Sequence, residues 1–323
     1  MRHIGIGCTT YRGHKRVANL LDSIRFRDPG VDRGKLDIVV HDDGSPGGIP
    51  RETYLGIYEL LDIGVGNILV TGTTANQGIA PSWNLITDNL FERGADMVIL
   101  LNDDIIVVDD WIRPMEYFLD NNPKAGAASW GFMWFDPIDV SELLTDPNRV
   151  CPRTHDSNDK DLDGNRRKII RWEPGNARPG RLGAPSGCCF AFSKTMWELS
   201  NKFPAQYKSF HEESNYGFSL CKKGHPSFGL TYPLLWHQWS ATFNECPELK
   251  AAETMTNSRQ LFCKDFGVPP SLSSRPFDYV HPRVCSNIPE MPITWISKNG
   301  VQSSTSPVCG CQLCEDYRKN PVG

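Results

Sequence analysis

Short apolar runs alternate with helically spaced apolar residues along the first third of the chain. The run from His3 to Gly7 predicts a strand, and Val17, Leu20, Leu21 and Ile24 follow at the spacing of one helix face. Leu36 to Val40 predicts a second strand, Tyr54 to Leu61 a helix, Asn67 to Gly72 a third strand, and the stretch opening near Pro81 another helix. A fourth apolar run, Met97 to Leu101, stops at Asn102-Asp103-Asp104 and is followed at once by Ile105-Ile106-Val107-Val108. Strand, helix and strand in repetition predict parallel βαβ units and an α/β fold. In open sheets of this kind ligands bind at the carboxyl ends of the strands.

Beyond about residue 110 the pattern changes. Ser129 to Phe135 is dense in aromatic residues, with Trp130, Phe132, Trp134 and Phe135. Such rings suit an acceptor platform, but large aromatics dominate buried area and the core is the stronger expectation. Asp136 to Gly183 is polar and rich in Pro, Gly, Asp and Arg, and a loop of that length is usually functional or mobile. It carries Arg153, Arg166, Arg167, Lys168, Arg171, Arg178 and Arg181, a set suited to an anionic acceptor, to a lid, or to plain solvation. "PSGCCFAFSKTMWEL" reads as strand then helix, "FHEESNYGFSLCKKGH" as a loop entering a helix, and "PLLWHQWSATF" as a strand ending at His237. From about Cys246 the periodicity weakens, and roughly the last 40 residues read as loop.

Composition narrows the classes. The chain has 323 residues, 39% of them hydrophobic and 22% charged, enough for one large domain or two ordinary ones. A formal net charge of -4 gives no case for a general nucleic-acid binder. No apolar stretch reaches signal-peptide or membrane-spanning length, which predicts a soluble, cytoplasmic protein. Eleven cysteines, an odd number with scattered spacing, then read as free thiols or metal ligands rather than disulfides. "GIGCTT" and "GVGNIL" lack the third glycine of a dinucleotide fingerprint, and no P-loop is present. "DKDLDG" opens like a calcium loop but has Ile170 where the closing Glu belongs, so a solvated acidic loop is expected.

The acidic pairs carry the chemistry. Asp42-Asp43 and Asp103-Asp104 each follow an apolar strand. In a parallel sheet both pairs fall on one edge, and four carboxylates gathered there repel one another unless cations or donors compensate. Oxygen-rich sites suit Mg²⁺ or Mn²⁺, which bridge carboxylates to substrate phosphates. A lone Asp pair would be no more than a turn former.

"IGCTTYRGHKRVANLLDSI", "LDIVVHDDGS", "TTANQGIAPSWN" and "MVILLNDDIIV" stand in the order and spacing of the nucleotide-sugar domain of glycosyltransferases. The chain resembles GT-A fold glycosyltransferases, family 2-like enzymes in particular, over about residues 1–245. The resemblance implies a Rossmann-like mixed sheet flanked by helices, with a nucleotide-binding half at 1–110, an acceptor and catalytic half at 111–245, and a loop-rich, cysteine-containing extension at 246–323. It implies that Thr9, Thr10, Tyr11 and Arg12 hold the base and ribose, that Asp42 and Asp43 recognise the base, and that Asn76 and Gly78 flank ribose and diphosphate. Asn102-Asp103-Asp104 takes the DxD position. Asn102 and Asp103 would lie beside the donor, and Asp104 would hold the metal with His237, whose imidazole suits Mn²⁺ better than Mg²⁺. Glu212-Glu213 matches the acidic catalytic segment, with Glu213 the base and Glu212 its neighbour. "PSGCCFAF" resembles the acceptor-side strand, with Gly187 allowing close approach.

A sugar hydroxyl is far too weak an acid to react unaided near neutrality, so transfer needs a positioned carboxylate as base. One base and direct attack on the anomeric carbon would invert configuration. Standing alone, Glu212-Glu213 would read as a helix-start pair and His237 as a core histidine. The expected donor is a nucleotide-diphosphate sugar; the acceptor is open among glycan, lipid carrier, protein and modified nucleobase. Cys309, Cys311 and Cys314 form CxCxxC, a partial structural Zn²⁺ pattern with Cys285, Cys263, Cys246 or His281 as the fourth ligand, or simply a reduced tail. Two rival readings are a sugar-nucleotide nucleotidyltransferase, disfavoured because "GCTTYRGHKR" is not glycine-rich, and a non-catalytic binding module with a zinc tail.

Overall fold

The computed structural model describes residues 2–134, 178–238, 241–285, 288–306, 314 and 319. The strands are β1 Ile4–Thr10, β2 Leu36–Asp42, β3 Asn67–Gly72, β4 Met97–Asn102, β5 Ile105–Ile106, β6 Ala127–Trp134, β7 Gly180–Leu182, β8 Cys189–Ser193 and β9 Ser227–His237. They form one mixed sheet in the order β3-β2-β1-β4-β8-β6-β9-β5, with β7 on β9. The first four strands are mutually parallel, and β8 runs antiparallel between β4 and β6. Helices α1 His14–Phe26, α2 Arg51–Asp62, α3 Ile79–Glu92 and α4 Arg113–Asn121 connect the early strands. The α/β class and the alternating first third are as the sequence predicts.

Alternation along β1 explains its glycines. Ile4, Ile6 and Cys8 join the core cluster that includes α1 and α4. Gly7 faces α3 instead, where a Cβ would stand 2.3 Å from Ile86 Cγ2. The glycines of "GIGCTT" thus serve helix–strand packing rather than a dinucleotide loop. Trp130 is buried and donates from its indole N–H to the Trp111 carbonyl at 2.8 Å, so this ring is core. The Phe132 and Trp134 side chains and Phe135 lie outside the described residues.

The C-terminal portion departs from expectation. It contains helices Ala251–Asp265 and Pro276–Cys285 and a hairpin of β10 Met291–Ser297 with β11 Gly300–Ser306. The first helix buries only Ser258 and Phe262, too few to leave an apolar stripe in the sequence. β11 is almost wholly polar, so strand alternation was readable only on its partner, where Ile293 and Trp295 point inward. Residues after 246 enter both core clusters: Ile293 and Trp295 one, Phe262, Val280 and Cys285 the other. Arg181 donates to the Ile288 and Pro289 carbonyls, each at 3.0 Å, and Arg178 to that of Thr305 at 3.2 Å. The other five basic residues of the long loop, and the acidic "DKDLDG", lie outside the described residues. Among the described residues no helix is long and apolar enough to cross a membrane.

Candidate active site

Sheet register assembles the site. Thr10 pairs with Asp42 and Thr9 with Asn102, so β1, β2 and β4 end level with one another. β5 then places Ile105 opposite His237 on β9, which sets Asp104 beside that histidine. The Gln238 N–H donates to the Asp104 carbonyl at 2.9 Å and locks the junction. A cavity of about 730 Å³ opens at this edge, lined by Asp43, Asp104, Glu213 and His237 among others.

Of the residues expected to bind the donor, Thr9, Tyr11, Asp43, Asn76, Gly78, Asn102 and Asp103 line the cavity. Asp43 accepts from the Gln77 and Gly78 N–H groups, both at 2.9 Å, and so fixes the Asn76–Gly78 loop. Thr10, Arg12 and Asp42 stand behind or beside the lining. Thr10 donates to Asp103 Oδ2 at 2.7 Å. Arg12 pairs with Glu248 at 2.7 Å. Asp42 accepts from the Ser45 N–H at 3.1 Å.

Asp103 and Asp104 divide their work. Both are buried. Asp103 takes Arg16 Nε and Nη2, each at 3.2 Å, and burial raises its pKa to about 6 despite that cation. Arg16 also pairs with Glu245 and donates to Thr242 Oγ1 at 2.9 Å. Asp104 faces His237, with Oδ1 to Nε2 at 3.2 Å. That distance is within ion-pair range, yet Oδ1 accepts no aligned hydrogen bond. A carboxylate oxygen and an imidazole nitrogen together at the cavity edge are donors that would suit a divalent cation such as Mn²⁺. Burial alone would lower the His237 pKa; Asp104 and Cys188 together hold it well above the ordinary imidazole range. Among the described residues no three His, Cys, Asp or Glu side chains form a complete metal cluster.

Glu212 and Glu213 open the helix Glu212–Lys222 and both line the cavity. The residues just before it, Phe210 and His211, hold φ of 66° and 67°, left-handed values costly for side chains of that size. Glu213 Oε1 accepts from Ser214 Oγ at 2.9 Å, and its carboxylate lies against Gly187, where a Cβ would stand 3.1 Å from Cδ. Burial raises the Glu213 pKa, opposed by the Ser214 hydroxyl. Glu212 is more enclosed, and burial followed by Glu213 raises its pKa well above the carboxylate range. Unfolded Glu212 ionises at about 4.3 while the folded group keeps its proton, so stability falls as pH climbs through that window. Glu212→Gln removes the cost. Its thermal midpoint is expected to exceed the wild type by about 2 °C at neutral pH, with the gap shrinking below about pH 5. Thermal scans at two pH values check this, and a less stable variant contradicts it.

Sequence reasoning missed Arg16, Cys188, Phe210, His211 and the 241–249 segment, whose Thr242, Phe243, Glu248 and Leu249 wall the cavity. Arg16 carried no local signal because its partners lie 87 and 229 positions away. Cys309 and Cys311 fall outside the described residues, and Cys314 is buried in the cluster that holds Cys285.

No protein-family model matches the chain, and no curated protein matches it. Solved structures do share its fold. One is a mannosyltransferase from Pyrobaculum calidifontis in complex with GDP-Man and Mn²⁺, 16% identical, with TM-score 0.54 over 88% of this chain and 72% of that one. Another is GalNAc-T7 with UDP, GalNAc and Mn²⁺, 14% identical, with TM-score 0.56 over 74% of this chain and 44% of that one. The chain therefore has the GT-A fold, with its mixed sheet flanked by helices.

Proposed function

We propose that the protein is a metal-dependent, family 2-like glycosyltransferase. It would move a sugar from a nucleotide-diphosphate donor to an acceptor hydroxyl with inversion. One observation carries the reading: Asp104, His237 and Glu213 reach a single cavity at the carboxyl edge of a GT-A sheet. Thr9, Tyr11, Asp43, Asn76 and Gly78 take the nucleoside half, with Asn102 at the ribose. Arg12 and Asp42 brace the rim, and Thr10, Asp103 and Arg16 hold the turn in place. Asp104 and His237 hold Mn²⁺ or Mg²⁺, which offsets charge on the leaving diphosphate. Glu213 takes the acceptor's proton as the hydroxyl attacks the anomeric carbon, and Gly187 leaves room for that approach.

Asp104→Ala tests the donor side. Calorimetric affinity for a nucleoside diphosphate with Mn²⁺ is expected to fall at least about 10-fold, to the level of wild type in EDTA. Equal affinity with and without the ion contradicts the proposal.

Two finer readings accompany it. Cys8, Cys188, Cys189, Cys221, Cys246, Cys263 and Cys285 are free thiols among the described residues, which supports a reducing, cytoplasmic setting. Structural Zn²⁺ on Cys309, Cys311 and Cys314 stays a reading of the CxCxxC spacing alone, since among the described residues no three His, Cys, Asp or Glu side chains are grouped to hold an ion. Elemental analysis finding no bound zinc in the purified protein would remove it.

A further inference from the structure

The helix that carries Glu212 and Glu213 starts in an uncommon way. His211 is its N-cap, and the His211 carbonyl accepts from the Asn215 N–H at 2.8 Å. An N-cap ordinarily has extended backbone, whereas His211 holds φ of 67° and Phe210 before it φ of 66°. Two consecutive left-handed residues with Cβ atoms persist only where their surroundings impose them. Here both flanks are pinned. On the donor side the Lys208 carbonyl accepts from the Ile79 N–H at 2.6 Å, and a Cβ on Gly78 would stand 2.5 Å from that carbonyl oxygen. On the other side the C-terminal portion closes in. Ser258 Oγ donates to the Ser209 carbonyl at 2.6 Å. The His211 ring packs against Phe262 and Phe277, with centroids 5.5 Å and 5.2 Å away, and Phe210 stacks on Phe243 at 4.9 Å. Residues 208–211 thus join the donor loop to the first turn of that helix, and residues after 240 clamp the join.

We propose that His211 is a positioning residue: its left-handed backbone, imposed by Ser258, Phe262 and Phe277, aims the first turn of the helix so that Glu213 faces the donor. The inference rests on the reading of Glu213 as the base. It gives the C-terminal portion, which lies outside the family resemblance, a part in aiming that base. With extended backbone at His211, the chain from Lys208 would enter the helix from another direction. Either the tie to Ile79 or the seat of Glu213 against Gly187 would then be lost. A misplacement of about 1 Å at a reacting group costs on the order of 100-fold in rate. The backbone of His211 carries this role, and its imidazole takes no chemical step.

Substitutions at this position separate backbone from side chain. His211→Asn, His211→Gly and His211→Val all remove the imidazole, but only the first two tolerate left-handed backbone. Release of UDP or GDP from UDP-glucose, UDP-GlcNAc and GDP-mannose is followed in the full chain with Mn²⁺, water serving as acceptor. His211→Val is expected to lower kcat at least about 10-fold, with KM for the donor within about 2-fold of wild type. His211→Asn and His211→Gly should restore kcat to within about 3-fold of wild type. Should His211→Val not fold, His211→Ala takes its place, with kcat again below both. A ring needed for packing or for chemistry lowers all three variants alike, and an idle residue leaves all three at the wild-type rate. Either result overturns the proposal, as does a loss confined to KM. Glu213→Gln in the same assay keeps the two readings apart. If it abolishes turnover while the His211 variants are alike, the base stands and the positioning role falls. If it keeps turnover, or no donor turns over, the base falls and the positioning role with it.

Discussion

Glu213→Gln is expected to lower transfer by about 100- to 10,000-fold while leaving donor affinity unchanged. The amide keeps the shape that lies against Gly187 and the contact with Ser214, so packing survives and only the proton acceptor is lost. The effect should fall on kcat, because the base acts in the transition state and not in donor binding. The pH profile supplies an independent check. Burial raises the Glu213 pKa, so wild-type activity should rise with pH on its acid side as the carboxylate ionises. That limb should vanish from the residual activity of the variant. A variant that keeps both rate and limb moves the base elsewhere, with Glu212 next in line.

Arg16→Leu carries the largest expected effect on stability, about 3–5 kcal/mol, read as a shift in denaturant midpoint at constant slope. Arg16 is buried and holds both oxygens of Asp103, the carboxylate behind the donor turn. Removing the cation leaves a charge in a site where burial already pushes its pKa to about 6. The double variant Arg16→Leu/Asp103→Asn should recover most of the loss, because it removes the orphaned charge along with its partner. Additive losses would show that Arg16 acts through Glu245 and Thr242 instead, as an anchor of the 241–249 segment.

Much of this arrangement was legible in the chain. Apolar runs at Leu36–Asp42, Asn67–Gly72 and Met97–Asn102 became parallel strands because each is bounded by turn residues and rich in β-branched or large aliphatic side chains. Two of them end in Asp pairs, and parallel register was enough to bring those ends to one edge. Long-range pairing was not legible. The contact of Asp104 with His237 depends on a two-residue strand, β5, set antiparallel to β9, and so short a strand has no period of its own. The partnership of Arg16 with Asp103 looks from sequence like a solvated helix residue. The helix Ala251–Asp265 and strand β11 bury too few apolar side chains to stand out from loop, and Pro282 interrupts the pattern of the helix Pro276–Cys285, yet the C-terminal portion completes both cores.

The measurement that bears most directly on the transferase is release of nucleoside diphosphate from a panel of nucleotide sugars, with Mn²⁺, with Mg²⁺ and with EDTA. The account predicts metal-dependent turnover of one donor, lost in EDTA and in both Asp104→Ala and Glu213→Gln. Absence of binding and turnover for every donor under every metal condition would contradict it.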